Sequence, residues 1–333
     1  MNAVLENTLL ESVIGHTQER EFLRRLLKKS AVPHALLFSG SAGIGKRTLA
    51  RAFASTLLTP ESDDSSQETM RLVSAGNHPD LHFVSREVGK KDITVEAIRT
   101  LCNSLQLKPY YAHASVALID NAHYMNLSAA NALLKTLEEP NDNSYLILIT
   151  DSPHRLPETI ISRCQVIHFA DLSPTDCSAV IVQNLSSMVE QTEIDPLISL
   201  AGSTLTPLGL ETYVNEKTLE LPESKALRDH LHTLLQDTVS LEKALLQLRK
   251  QADEGRALSL ASQLAADKEN LPAVWRLLSA TIRKQLRLAT GKRAERLSEL
   301  LLNSLEAERL SAERNLSPQL QLSSILLQIA VGN

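Results

Sequence analysis

The segment that most constrains this chain is a short apolar run, Ala35-Leu36-Leu37-Phe38, that passes through a glycine-rich turn into a helical stretch from Lys46 to Leu57. The turn reads Gly40-Ser41-Ala42-Gly43-Ile44-Gly45-Lys46-Arg47-Thr48. A strand feeding a helix through such a turn is the geometry of a phosphate loop. Gly40, Gly43 and Gly45 free the backbone so that its N–H groups can face phosphates, and the helix N-terminus adds positive potential. Lys46 stands where it can reach the outer phosphates of ATP or ADP. The next position calls for Ser or Thr to hold magnesium, and Arg47 occupies it. Thr48 comes one residue late, rotated by about 100° around the helix, and does not substitute cleanly. Two readings stay open: a working nucleotide site, or a tight strand-to-helix turn kept for folding.

Further strands are expected at Leu81–Ser85, Ser115–Ile119, Tyr145–Thr150 and Gln165–Phe169, separated by helical patterns such as Gln18 to Lys29. Short apolar strands alternating with helices predict an α/β fold, a parallel sheet with helices on both faces. Past Ala170 strand signals vanish. The 333 residues divide into an α/β domain over 1–170, a small helical domain over 171–212 and an all-α domain over 213–333. Thr59 to Gln67 reads as a polar loop, and Tyr213 to Glu223 as a linker.

The run Val116-Ala117-Leu118-Ile119-Asp120 is an apolar strand ending in an acid, the pattern whose carboxylate helps to hold magnesium beside a phosphate loop. A hydrolysing site needs Glu next, and Asn121 cannot take a proton. With the hydroxyl ligand and the general base both replaced, the chain is expected not to hydrolyse ATP, because phosphoryl transfer needs positioning and charge stabilisation together.

Composition narrows the partners. A net charge of −5 argues against a protein that coats DNA, and 3% aromatic residues leave little for base stacking. Cys102, Cys164 and Cys177 fall in no metal or redox spacing, which suits a reducing compartment. No apolar run approaches a membrane span, so a cytoplasmic protein without membrane partners is expected.

Specificity rises at Asn131-Ala-Leu-Leu-Lys-Thr-Leu-Glu-Glu-Pro140 and at Ser162-Arg163-Cys164. The segments Val13-Ile14-Gly15-His16, Pro33 to Gly40 and Asn77-His78-Pro79-Asp80 extend the match, as does Thr150 at a strand end. Together they resemble the AAA+ clamp-loader family of bacterial DNA polymerase III, most strongly over residues 8–170. That resemblance implies a RecA-like domain, a helical lid and a helical collar that joins subunits into a ring. It implies that Ile14 packs on adenine, that Thr150 is the sensor-1 residue, and that Arg163 reaches in trans into a neighbour's ATP site.

Partners implied are the gamma/tau motor subunits, the delta subunit, the sliding clamp beta and, through the assembly, primed DNA. The lid sequence Ala201-Gly202-Ser203-Thr204-Leu205-Thr206-Pro207 offers no sensor-2 arginine. The family's four-cysteine zinc module is also missing, since Thr59 to Met70 holds no Cys, so no zinc or other metal is expected. A non-hydrolysing subunit fits this set best. An active gamma/tau-like motor and an inert nucleotide-holding regulator stay open beside it.

Smaller features have plainer expectations. His78 and His82 are separated by Pro79 and read as turn and strand residues. Arg283, Lys284, Arg287, Lys292, Arg293 and Arg296 read as a solvated basic face, Cys102 and Cys164 as inert, and Trp275 as a core or interface residue.

Overall fold

The computed structural model describes residues 10–59, then 69–201 apart from 70, 74–75, 88–89, 91 and 186–190. It also describes 253–331 apart from 267–270, 288 and 315–316, and scattered helical positions between 233 and 248. The lid positions Leu205 and Thr206, most of the Thr59–Gln67 loop and the 213–223 linker lie outside the described residues.

Five strands form one sheet: β1 (Ala35–Ser39), β2 (Leu81–Val84), β3 (Ser115–Ile119), β4 (Ser144–Thr150) and β5 (Gln165–His168). Their order is β2-β3-β4-β1-β5, and each pairing is parallel. Every residue of β1 and β3 is buried, as the unbroken apolar runs require of central parallel strands covered on both faces. This is the expected α/β architecture, a parallel sheet with helices on both faces. Strand ends fall within a residue of the sequence expectation, with β4 beginning at Ser144 and β5 stopping at His168.

Helices of this part are α1 (Thr17–Lys28), α2 (Lys46–Leu58), α3 (Val95–Gln106), α4 (Leu127–Glu138) and the single turn α5 (Glu158–Ile161). On one face Ile98, Leu101 and Leu105 of α3 and Ala130, Leu133 and Leu137 of α4 pack on Ala35, Leu37, Ala117, Ile119, Leu146 and Leu148. Leu36, Phe38, Val116, Leu118 and Ile147 alternate with those strand residues, so they point to the other face, where α2 packs on β1, β3 and β4. Local chemistry sets the helix starts. Thr94 accepts from the N–H of Ala97 at 3.3 Å, and Asn126 from that of Ala129 at 2.8 Å, each as an N-cap.

The chain separates into two compact units, the first running through Asp176 and the second starting at Cys177. Helix α6 (Pro174–Leu185) begins at that boundary and is capped by Ser173, which accepts from the N–H of Asp176 at 3.0 Å. The second unit contains α7 (Gln191–Ala201), α8 (Glu254–Ala266), α9 (Leu271–Arg287), α10 (Lys292–Arg314) and α11 (Pro318–Val331). Within it α8 packs on α11, and α9 on α10 and on α7. Trp275 of α9 is buried there as a core residue, and no strand follows β5 among the described residues. No helix among the described residues is long and apolar enough to cross a membrane.

Candidate nucleotide-binding site

Parallel register brings three sequence-distant features to one edge of the sheet. Ser39 at the end of β1 is paired with Thr150 at the end of β4, and Ile119, one residue before Asp120, is paired with Leu148. The glycine-rich loop therefore leaves the sheet beside both Asp120 and Thr150, at the carboxyl ends where α/β sheets bind ligands.

The loop's glycines have distinct causes. A Cβ on Gly40 would lie 2.5 Å from the Phe169 carbonyl oxygen, a backbone atom that cannot step aside. Gly43 (φ 69°) and Gly45 (φ 96°) adopt left-handed backbone, which a side chain would strain. Gly45 is the N-cap of α2 and provides no side-chain cap, so the first N–H groups of the helix stay open to a ligand. From above, His16 Nε2 donates to the Ile44 carbonyl at 2.6 Å, while its ring meets Phe169 edge-on with centroids 5.0 Å apart. Neighbouring Ile14 is half-buried.

Lys46 is buried inside the loop, its Nζ donating to the carbonyls of Gly40 (2.8 Å) and Ser41 (2.6 Å). Burial lowers its pKa to about 8, against the pull of Asp151, Asp120 and Asp171. An ammonium has three donors, so one remains for a phosphate oxygen.

Arg47, half-buried on the next position, donates from Nη1 to Asp120 Oδ2 at 3.0 Å. The carboxylate is buried, its other oxygen accepting from the Asn121 N–H at 3.0 Å. Burial pushes the Asp120 pKa up, opposed chiefly by the Arg47 guanidinium and then by the Asn121 amide and Lys46. Thr48 is exposed and takes no part in these bonds. Magnesium does not fit this arrangement. The residue that would give its hydroxyl ligand is an arginine, and that arginine already holds the acid.

Thr150 is fully buried, its Oγ1 lying 3.1 Å from His123 Nδ1 and accepting from the Ser152 N–H at 3.1 Å. Burial lowers the His123 pKa, with Asp151 at 3.3 Å opposing and Arg155 and Arg86 assisting. The two arginines lie over the Tyr124 ring, at 5.3 and 4.1 Å from its centroid.

Arg163 follows α5 and joins a different set. Its Nε and Nη2 donate to Glu138 Oε1 at 3.1 and 2.7 Å, and its Nη1 to the Thr159 carbonyl at 3.0 Å. Its side chain keeps 37% of its surface exposed.

The structure thus gathers Gly40, Gly43, Gly45, Lys46, Asp120 and Thr150 at one edge and leaves Thr48 on the surface of α2. Sequence reasoning gave His16 and His123 no individual role and missed the pairing of Arg47 with Asp120. The last had a signal, a cation replacing a metal ligand beside a retained metal-binding acid. Cys102 is buried and Cys164 half-buried, and burial raises both thiols, Cys164 to about 12, so neither is a nucleophile. Among the described residues no cluster of His, Cys, Asp and Glu is set to hold a metal ion.

A family model described as DNA polymerase III, delta subunit, matches residues 15–173. The delta' subunit of DNA polymerase III from Bacillus subtilis is 36% identical over 219 residues, 65% of this chain and 63% of that subunit. The tau/gamma subunit of Haemophilus influenzae is 36% identical over 197 residues, 57% of this chain and 28% of that protein. The chain thus spans less than two thirds of the length of these two relatives. A gamma-subunit-related protein of Thermotoga maritima is similar in structure, with TM-score 0.44 and 16% identity over 92% of this chain and 98% of that one. The delta' subunit of Yersinia pestis is 30% identical over 243 residues, 70% of this chain and 69% of that subunit. With this extent of identity, and with a phosphate loop, acid and Ser-Arg-Cys segment in one parallel sheet domain, the chain belongs to the DNA polymerase III delta' family.

Proposed function

We propose that this chain is a non-hydrolysing subunit of a clamp loader, assisting ATP-driven placement of the sliding clamp beta on primed DNA. The observation that carries this reading is the bond from Arg47 to Asp120, which engages the acid a hydrolysing site keeps for magnesium. Asn121 beside it has no proton-accepting carboxylate, so both the metal and the base of phosphoryl transfer are replaced. Residues 171–212 serve as the lid and 213–333 as the collar that meets gamma/tau and delta subunits in the cytoplasm. Zinc has no part in this reading.

Arg163 supplies the chain's contribution to chemistry. Set between α5 and β5 with its guanidinium partly exposed, it enters the ATP site of a neighbouring motor subunit. There it stabilises the charge that develops on the transferred phosphoryl group.

ATP turnover tests both halves. The isolated chain should show none. In a reconstituted loader, Arg163→Ala should lower turnover at the adjacent site by about a thousandfold, the scale of an arginine finger. Turnover by the chain alone, with Arg163→Ala harmless in the assembly, makes this a motor subunit instead.

A further inference from the structure

The acid at the end of β3 and the first turn of α2 make a site whose cation is part of the chain. In a magnesium-dependent phosphate loop the ion lies between the acid, the hydroxyl after the loop lysine and the outer phosphates. Here the residue after the lysine is Arg47, and its Nη1 is 3.0 Å from Asp120 Oδ2. The guanidinium is thus held by the acid at the base of the loop.

We propose that nucleoside di- and triphosphates bind this loop in metal-free form, with the Arg47 guanidinium, anchored on Asp120, taking the place of magnesium. A guanidinium has five N–H donors in a planar fork suited to phosphate oxygens, and Asp120 takes one of them. The surrounding parts of a phosphate site are in place. Gly43 and Gly45 hold the loop's left-handed turns, and the first N–H groups of α2 have no side-chain cap. Lys46 is retained, buried in the loop with two of its three donors on loop carbonyls.

Singly charged and fixed, the guanidinium neutralises less of the phosphate charge than a divalent ion does. It also cannot exchange ligands as a metal does during phosphoryl transfer. A site built this way holds nucleotide and does not turn it over. The inference concerns binding by this chain alone, so it stands or falls separately from the role of Arg163 in an assembly.

The test is a titration of the full-length chain with ADP, and separately with ATP, in excess EDTA and in excess magnesium. Wild-type affinity should be at least as high in EDTA as in magnesium, since magnesium competes for the free nucleotide, and Lys46→Ala should abolish binding, which locates the site. Arg47→Thr restores the hydroxyl and frees Asp120, so its binding should become metal-dependent, weaker in EDTA by about tenfold or more. Loss of wild-type binding in EDTA overturns the proposal, as does absence of binding in both buffers. The wild-type comparison needs no variant, so it stands even if Arg47→Thr does not fold.

Discussion

Glu138 takes two donors of Arg163, Nε at 3.1 Å and Nη2 at 2.7 Å, on a single carboxylate oxygen, Oε1. The acid is the last residue of α4, in the Leu-Glu-Glu-Pro segment, and the arginine belongs to Ser-Arg-Cys. Two motifs that lie apart in sequence thus meet. Both side chains are partly exposed, so the pair adds little to stability, and its two bonds restrain the guanidinium's orientation.

Removing that hold should affect assembly chemistry and not folding. Glu138→Gln is expected to leave the melting temperature within about 1 °C of wild type, since an exposed pair contributes well under 1 kcal/mol. In a reconstituted loader it should lower ATP turnover by less than Arg163→Ala does. A loss equal to that of Arg163→Ala, or no loss at all, would show that Glu138 does more, or less, than orient the arginine.

Asp80 joins the start of β2 to the loop before β3, its carboxylate accepting from the N–H groups of Tyr110 (2.6 Å), Tyr111 and Ala112 (both 2.7 Å). Asp80→Asn should destabilise the first unit by about 2–3 kcal/mol, as expected when charge-assisted bonds are lost from a buried acid. Burial acts to raise the Asp80 pKa, but the amides and His78 outweigh it and hold the pKa below its ordinary 3.8. Because the folded pKa is the lower one, this stabilisation is complete above the unfolded value and is lost as pH falls through the folded one. Denaturant melts of wild type and Asp80→Asn should therefore converge as pH falls below the ordinary 3.8 and through the lower folded value.

Gly40→Ala probes the closest backbone approach in the site. The added Cβ would meet the Phe169 carbonyl oxygen at 2.5 Å and Phe169 Cβ at 2.9 Å. Relief requires β5 and β1 to part, at a cost of about 1–3 kcal/mol. Thermal melts should show a fall of several degrees, at about 2–4 °C per kcal/mol for a unit of this size. An unchanged melting temperature would mean that the strand ends yield freely.

Lys46 should give the proposed nucleotide binding a pH dependence. Its pKa is lowered to about 8 by burial, so the free chain loses the ammonium charge as pH rises through that value. ADP affinity should be flat below pH 8 and decline above it, and Lys46→Met, like Lys46→Ala, should show no binding at any pH. The same shift links to folding. The unfolded lysine keeps its proton to about 10.5, so between 8 and 10.5 the unfolded state binds more protons and this group's contribution favours the folded chain increasingly with pH. Affinity that stays level to pH 9.5 would place Lys46 away from the phosphates.

Local sequence determined much of this molecule. Strands such as Ser115–Ile119 are unbroken apolar runs because both their faces are covered, and burial on both faces leaves a pattern that can be read in the chain. The glycine spacing around Lys46 was equally legible, because a turn with left-handed residues tolerates few alternatives. Which charges meet was not legible. Arg47 and Asp120 lie 73 residues apart, and Arg163 and Glu138 lie 25 apart. His16 reaches Ile44 across 28 residues. These pairings follow from the order of parallel strands and the helix turn that aims each side chain, and such long-range geometry leaves no periodic trace. The sequence by itself placed Arg47 where a magnesium-dependent loop carries Ser or Thr. Only the tertiary structure decided that this arginine sits on Asp120, because ion pairs are fixed by where the backbone delivers the two groups.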